Sequence, residues 1–301
     1  MIETEKKKNG VWVYLALTFA LTWTYMFAVV RPAAAGSTQV YQLLVAGCMF
    51  FPTACMLLTR LVTREGFGDL MIRPNFKGNI GTYLLAYFGP FAAVVLGAAL
   101  YYLLFPARLD WSSPVIRQMM AEAGTPYEAQ AIPMQTLLII QTLQALVLPG
   151  FINLIPSLGE EWGWRGYMMP RLTKALGTRR ALLLGGIIWG LWHAPIVALG
   201  HNYGTGYPGW PWLGIAMMCA ECTALGVLLT WLTERTGSCI PAAVAHGAFN
   251  GSASLGVLVS ADGGDPFIGP TPTGLIGGAP ICILAVVAAV ALVKKNEQNE
   301  Q

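Results

Sequence analysis

The sequence predicts an all-α protein, a polytopic membrane helix bundle with about eight transmembrane helices. Three observations support this fold class. Only 11% of the 301 residues are charged, against roughly 25% in a typical soluble domain. Hydrophobic residues make up 55% of the chain, and the mean hydropathy is +0.56. The apolar residues also gather into runs of about 20, the length that a bilayer requires. This composition excludes a disordered chain, a coiled coil and a nucleic-acid-binding protein.

Eight apolar runs are long enough to be spans. They lie at about 11–30, 38–59, 80–105, 135–156, 181–199, 213–233, 238–259 and 274–293. Prolines interrupt several of them, which a bundle tolerates because neighbouring groups satisfy the carbonyls that a proline leaves free. Residues 11–293 are therefore expected to form one transmembrane helical domain, with short cytoplasmic tails at 1–10 and 294–301.

The distribution of Lys and Arg predicts the orientation of these spans. With the N-terminus in the cytoplasm, all but three of the 18 Lys and Arg residues lie on the cytoplasmic side. That side then includes the basic insertion at 60–79, whereas the predicted exterior loops at 200–212 and 260–273 contain neither Lys nor Arg. The three residues left outside are Arg31, Arg108 and Arg117. Eight spans with both termini in the cytoplasm fit this distribution.

Four glycines predict close contacts between helices. Gly186 and Gly190 fall in the fifth predicted span, and Gly247 and Gly251 fall in the seventh. Small residues four positions apart lie on one face of a helix and let a second backbone approach it closely. We therefore expect both helices to pack tightly inside the bundle.

Carboxylates within apolar helices are costly and indicate a functional site. Glu160 and Glu161 are expected to end the fourth span, and Arg165 stands four residues after Glu161, in the favourable order for an ion pair. Glu160 would then be the carboxylate left free for chemistry. Taken alone, the same group could be an interfacial charge cluster where the helix leaves the bilayer.

Two histidines and an asparagine extend this set to other helices. His193 lies in the fifth span, and His246 lies in the seventh with Asn250 one turn later on the same face. Each could singly be a buried hydrogen-bond partner, but together with the carboxylates they are expected to converge. A Glu beside a His can hold and deprotonate a water, and a His with an Asn can donate to an oxyanion. Those groups suffice to hydrolyse an amide.

The sequence leaves the roles of two further features of the sixth span undecided. Glu221 has no partner that the sequence identifies, so both a structural and a functional role remain. Cys219 and Cys222 form a CxxC pattern, but within a hydrophobic run, which favours helix packing over redox or metal chemistry. None of the six cysteines lies in an evident exterior loop, so a disulfide framework is not expected.

At these residues the sequence resembles the CPBP (ABI) intramembrane proteases, the group that contains the type II CAAX prenyl endopeptidases and bacterial bacteriocin-processing homologues. Three motifs agree in order and spacing: EExxxR at Glu160, Glu161 and Arg165; FxxxH, with Trp for Phe, at Trp189 and His193; and HxxxN at His246 and Asn250. The matched region covers roughly 150–255, which implies a protease core at about 135–259.

The resemblance implies an endopeptidase that hydrolyses peptide bonds of a membrane-associated protein or peptide, with prenylated CAAX-type substrates among the candidates. It implies that Glu160 is the general base and acts with His193 on the attacking water. His246 and Asn250 would stabilise the oxyanion, and the ion pair of the first motif would orient the base. The site would open to the cytoplasm and to the membrane.

Several alternatives remain beside this interpretation. We expect no cofactor, because Asn250 is a poor zinc ligand and a good oxyanion donor. A zinc-dependent version would use Glu160, His193 and His246 as ligands. A non-catalytic binding or immunity protein could use the same cavity, whereas the lack of an internal repeat argues against a transporter. The expected partners are a peptide or membrane-protein substrate and the lipid bilayer, in the plasma membrane of a bacterium or the ER membrane of a eukaryote.

Overall fold

The computed structural model describes the backbone of residues 2–299 and the side chains of residues 10–298. Within this range the protein is all-α, and its β-structure is limited to two isolated bridges. The α-helices, in chain order, are α1 Ile2–Tyr25, α2 Arg31–Ala33, α3 Thr38–Cys48, α4 Phe51–Thr63, α5 Ile80–Leu104, α6 Pro114–Glu122, α7 Met134–Val147, α8 Pro149–Ile152, α9 Leu154–Gly163, α10 Met169–Leu176, α11 Thr178–Trp192, α12 Ala194–Ala198, α13 Trp212–Thr236, α14 Ile240–Ser252 and α15 Ala279–Asn299.

The terminal helices extend into the regions expected to be tails. The helix α1 begins at Ile2 rather than near residue 11, and α15 continues to Asn299 rather than ending near residue 293. The ends of the predicted tails, Met1, Glu300 and Gln301, lie outside the described residues, as do the side chains of the basic run Lys6, Lys7 and Lys8.

In the described part of the chain, seven helical segments are long and apolar enough to cross a membrane, so the chain is a multi-pass integral membrane protein. They are Gly10–Ala33, Thr38–Thr63, Ile80–Leu104, Met134–Ile152, Trp212–Thr236, Ile240–Val259 and Ala279–Gln298. The fifth predicted span, 181–199, is not among them, because it is divided into α11 and α12, which meet at His193. Pro195 has no N–H with which to continue the helix, and its ring clashes with the preceding turn. The break places His193 at a helix end.

The helical run that carries Glu160 and Glu161 does not end at these residues, contrary to the expectation from the sequence. The helix α9 passes through a π-helical turn at Trp164–Met168 into α10, and the run ends only at Leu176. All five residues of the π-helical turn are buried, and Arg165 within it pairs with Glu161. Because this pairing neutralises both charges, the chain can remain helical beyond them.

The predicted glycine contacts are confirmed. A Cβ added at Gly186 or Gly190 would lie 2.4 Å from the Cα of a residue in α13. A Cβ at Gly251 would lie 2.1 Å from the Cβ of Pro149, and a Cβ at Gly247 would lie 3.1 Å from the carbonyl oxygen of the same proline. The backbones of α11 and α14 therefore approach their neighbours more closely than any larger residue allows.

Residues 64–79, here named the basal loop, fold back across the ends of α4 and α10. Arg60, expected in the basic cytoplasmic insertion, is only 1% exposed and pairs with Asp69 at 2.6 Å. Arg171 pairs with Glu65 at 2.7 Å. The loop backbone also accepts hydrogen bonds from α9 and from the residue that precedes α14. The basal loop thus joins the helices that carry the candidate site at one end of the bundle.

Candidate active site

A cavity of about 620 Å³ lies between the helices, a size within the range of roughly 300–1,000 Å³ that small-molecule sites occupy. Residues of α3, α9, α11, α12, α13 and α14 line it. Four of the six predicted site residues are among them: Glu160, His193, His246 and Asn250. The other two, Glu161 and Arg165, are 0% and 3% exposed and do not line the cavity. Residues from three separate motifs therefore meet at one place.

Glu160 is held by two tryptophans. One of its oxygens, Oε2, accepts hydrogen bonds from the indole N–H of Trp189 at 2.8 Å and of Trp164 at 3.2 Å. Trp164 stands four residues after Glu160, so it reaches back along its own helix, whereas Trp189 comes from α11. Both donors are neutral, so they fix the direction of the carboxylate without neutralising its charge. The second oxygen, Oε1, is left for the cavity that Glu160 lines.

Glu161 joins two helices through a single oxygen. Its Oε1 accepts from Arg165 at 3.0 Å, as the sequence predicts, and also lies 2.9 Å from Nδ1 of His246 on α14. The guanidinium of Arg165 stacks over the indole of Trp189, 4.1 Å from the ring centroid. The buried ion pair therefore positions both His246 and one of the tryptophans that hold Glu160.

The orientation of His193 follows from the break between α11 and α12. Its Nδ1 lies 2.9 Å from the carbonyl oxygen of Trp189. Because a carbonyl only accepts, Nδ1 must carry the hydrogen, and in the neutral ring Nε2 then keeps a lone pair. The sulfur of Cys222 lies 3.9 Å from the same Nδ1, so one cysteine of the CxxC pattern packs beside the histidine.

His246 and Asn250 differ in how they are held. His246 is 4% exposed and is fixed from behind by Glu161. Asn250 lies one turn further along α14, where its side chain is exposed and borders the cavity. One donor is therefore rigidly placed, and the other is accessible to whatever enters the cavity.

Two kinds of site residue were not predicted from the sequence. The indole donors were not identified, although the i, i+4 spacing from Glu160 to Trp164 is a detectable signal and Trp189 belongs to the second motif. Glu221, whose role was left open, lines the same cavity and accepts a hydrogen bond at 3.3 Å from the hydroxyl of Tyr203. Tyr203 lies in a loop with no periodicity, so nothing in the sequence links it to Glu221.

The zinc alternative requires Glu160, His193 and His246 to act as ligands of one ion. In the part of the chain with described side chains, no three His, Cys, Asp or Glu residues are grouped so that they could hold a metal ion. Nδ1 of each histidine faces a protein oxygen, and Oε2 of Glu160 accepts two indole hydrogen bonds. Histidines that bind zinc through one nitrogen normally have the other nitrogen engaged in this way, so Nε2 is the nitrogen that would act in either version of the site.

The cavity extends toward the end of the bundle opposite the basal loop. His201 and Thr273 line it, and they belong to the two predicted exterior loops, which contain no Lys or Arg. The basal loop contributes no lining residue and contacts the far end of α13 through a hydrogen bond from Asn75 to Thr236. Gly10 of α1 packs against Glu65 of the basal loop, so the N-terminal part of α1 and the loops that line the cavity lie at opposite ends of the bundle.

Two comparisons with known proteins agree with the motifs. Residues 141–252 match the model of a family described as type II CAAX prenyl endopeptidase Rce1-like, and all six predicted site residues fall within this segment. The chain is also similar to CAAX prenyl protease 2 of Methanococcus maripaludis, with 29% identity over 95 residues. This similarity covers 31% of the chain and 35% of the archaeal protein, so the chain spans about a third of that relative's length.

Proposed function

Because the chain belongs to the Rce1-like type II CAAX prenyl endopeptidase (CPBP) family, we propose that it is an intramembrane endopeptidase. Its substrate would be a membrane-associated protein or peptide, and the reaction would be hydrolysis of a peptide bond by an activated water. The roles proposed below follow from which atoms of each side chain are already engaged and which remain free.

Glu160 is the proposed general base. Two indole N–H groups hold Oε2, whereas Oε1 accepts no hydrogen bond from the residues with described side chains, and Glu160 lines the cavity. A water between Oε1 and Nε2 of His193 would be oriented by both and would give its proton to the carboxylate. The resulting oxygen attacks the carbonyl carbon of the substrate. Positioned acid–base groups of this kind contribute about 10²–10⁴-fold to rate.

His246 and Asn250 are the proposed oxyanion donors. Because Nδ1 of His246 faces Glu161, only its Nε2 can point to the substrate, and Nε2 donates when the ring is an imidazolium. An imidazolium is consistent with the local charge, since it and Arg165 balance the two carboxylates. The amide N–H of Asn250 would supply the second donor.

The reaction is completed by breakdown of the tetrahedral intermediate. The proton that Glu160 took from water passes to the departing amide nitrogen, and the carbon–nitrogen bond breaks as the oxyanion reforms a carbonyl. The products are a carboxylate and an amine, and Glu160 is regenerated as a carboxylate. Glu161 and Arg165 are positioning residues in this scheme, since they contact His246 and Trp189 rather than the cavity.

One observation carries this proposal. The three motifs, far apart in the sequence, place a carboxylate with one free oxygen, a histidine with a free nitrogen and an exposed amide around a single cavity. A bundle that needed these groups only for packing would be expected to bond all of them to each other, because unsatisfied polar groups are costly inside a membrane.

The direct experiment compares the peptides that are released from membranes containing the wild-type protein and Glu160→Ala, by mass spectrometry. We expect a set of fragments that requires Glu160. Glu234→Gln is the matched control, because Glu234 lies outside the cavity and faces Lys295 at 3.9 Å. Identical fragments from wild type and a normally folded Glu160→Ala would overturn the proposal and favour a binding or immunity protein.

We also propose that the N- and C-termini are cytoplasmic and that the cavity opens to the opposite side of the membrane. The distribution of Lys and Arg and the loops that line the cavity support this orientation. In a variant without native cysteines, an impermeant thiol reagent added outside should label Thr205→Cys and not Ala175→Cys. The reverse pattern would overturn the orientation.

A further inference from the structure

Glu221 is an ionisable residue of the cavity that the proposed reaction does not use. It lies in the middle of α13, a membrane-spanning helix, and lines the cavity together with Glu160. Its Oε2 accepts one hydrogen bond, from the hydroxyl of Tyr203 at 3.3 Å. Carboxylates at such depth are rare and usually mark a ligand or ion pathway.

The cavity lining includes two carboxylates, Glu160 and Glu221, but neither Lys nor Arg. Its basic side chains are histidines, and the one proposed to carry a positive charge, His246, faces Glu161 through Nδ1. The nearby guanidinium of Arg165 is engaged by Glu161 and stacks on Trp189, so it cannot serve either cavity carboxylate. Among the residues with described side chains, Glu221 has no ion-pair partner. A carboxylate in this position therefore favours a ligand that brings positive charge.

The walls near Glu221 also suit an organic cation. Aromatic side chains of Trp189, Trp192 and Phe249 line the same cavity. Ammonium and guanidinium groups are attracted to aromatic faces, most strongly when water is excluded. A cation seated against the carboxylate would thus gain both an ion pair and aromatic contacts.

Tyr203 fixes where this carboxylate points. It is 3% exposed and stacks on Phe267, with ring centroids 5.3 Å apart, so it joins the two loops at the cavity end of the bundle. Its neighbours His201 and Asn202 line the cavity. Glu221 is therefore tied to the loop end of the cavity, where a substrate would enter, rather than to the buried ion pair.

We propose that Glu221, oriented by Tyr203, binds a positively charged group of the substrate, so that the enzyme prefers peptides with an ammonium or guanidinium close to the bond that is cleaved. This inference rests on the proposed function, since it assigns a specificity residue to the same site. A Lys or Arg side chain and a free peptide amino terminus share this chemistry.

The first test measures binding and does not depend on turnover. Titration of n-hexylguanidinium and its neutral isostere n-hexylurea into the protein in lipid nanodiscs should show that the cation binds tighter by about tenfold or more. Glu221→Gln should remove the difference, and Glu234→Gln should keep it. A wild-type protein that binds the cation and the neutral isostere equally would overturn the proposal. The proposal would also be overturned if the preference for the cation survives Glu221→Gln and is lost in Glu160→Gln. If Glu221→Gln fails to fold, Tyr203→Phe takes its place in the test. This variant keeps the charge of Glu221 but removes the hydrogen bond to it, so it should weaken the preference for the cation.

The second test uses cleavage. The substrates are peptides with lysine or norleucine at each position around the cleaved bond. Each peptide is made with a free and with an acetylated amino terminus, so that the charge of a side chain is separated from the charge of the terminus. Glu221→Gln should reduce the wild-type ratio of kcat/KM for charged over neutral peptides by about tenfold or more. An unchanged ratio would overturn the specificity role. If no peptide is cleaved, the proposed function fails, while the binding test still decides the role of Glu221.

Discussion

The residues with described side chains include two clusters of charged groups that are largely buried, and the clusters differ in which carboxylate oxygens lack a hydrogen-bond partner. The central cluster comprises Glu160, Glu161, Arg165 and His246, and the basal cluster comprises Arg60, Glu65, Asp69 and Arg171. Both contain arginine–carboxylate pairs at 3.0 Å or less, and both connect helices that are distant in sequence. By composition alone, either could be the active site.

Every carboxylate oxygen of the basal cluster has a donor. Glu65 is bonded by Arg171 and by the hydroxyl of Tyr167, and Asp69 is bonded by Arg60 and Arg171. No member of this cluster lines the large cavity. Among the residues with described side chains, Nε of Arg171 lacks a partner, but both carboxylates of the cluster are bonded at each oxygen. Carboxylates that are paired in this way hold the chain in place and have no free oxygen with which to act on a substrate.

The central cluster is paired only in part. Glu161 leaves Oε2 without a partner among the residues with described side chains. Oε1 of Glu160 accepts no hydrogen bond from those residues either, and Glu160 lines the cavity. Free polar atoms beside a cavity are the feature that separates a site for chemistry from a structural ion-pair network. The comparison therefore predicts that the central cluster is required for turnover, whereas the basal cluster contributes to stability without acting in turnover.

The largest effect is expected from His193→Ala. Loss of the partner of the base should reduce kcat by about 10²–10⁴-fold with little change in thermal unfolding. His201→Ala is the matched control, because His201 also lines the cavity but has no role in the proposed reaction. A folded His193→Ala variant with wild-type kcat would remove this histidine from the mechanism.

A smaller effect on turnover and a larger one on folding are expected from Glu161→Gln. The change leaves Arg165 and His246 without their shared anion in a buried place, and breaking a buried pair costs about 3–5 kcal/mol. Glu65→Gln should cost less, since Arg171 keeps Asp69 as a partner. The two variants are compared by their midpoints of thermal unfolding in one detergent. If Glu65→Gln were less stable than Glu161→Gln, the expected ranking of stability would be wrong.

The smallest effect concerns pH and the basal cluster. Burial raises the pKa of Asp69, but the hydrogen bond and charge of Arg60, together with Arg171, lower it overall. A carboxylate with a lowered pKa stabilises the fold above its unfolded-state pKa and loses this contribution as the pH falls through the folded-state value. The stability gap between wild type and Asp69→Asn should therefore close below about pH 4. The gap itself should be about 1 kcal/mol or less, because Asp69 is half exposed. A gap that widens in acid would contradict this assignment.

Much of the fold and the site could be predicted because the signals are local. Hydropathy located the spans, and glycine spacing located the close contacts. The i, i+4 rule paired Glu161 with Arg165. The three motifs placed four residues on the cavity.

The remainder depends on contacts between distant segments. Hydropathy could not show that the helix continues past Glu160, because this depends on pairing and burial of Arg165. The bond from Glu161 to His246 and the contact of Tyr203 with Glu221 join residues whose spacing has no period. Arg60 is buried because the basal loop folds back over it. Nothing in the sequence of this basic loop indicates that it folds back.

The most direct test of the central claim is a parallel measurement of Glu160→Gln and Glu65→Gln, two identical substitutions at buried glutamates of the two clusters. The purified variants would be placed in lipid vesicles, and their rate of peptide cleavage and midpoint of thermal unfolding would be measured together. We expect Glu160→Gln to keep the midpoint and to lose cleavage by at least about 10²-fold, whereas Glu65→Gln lowers the midpoint and still cleaves. A Glu160→Gln variant that folds normally and cleaves at the wild-type rate would contradict the account.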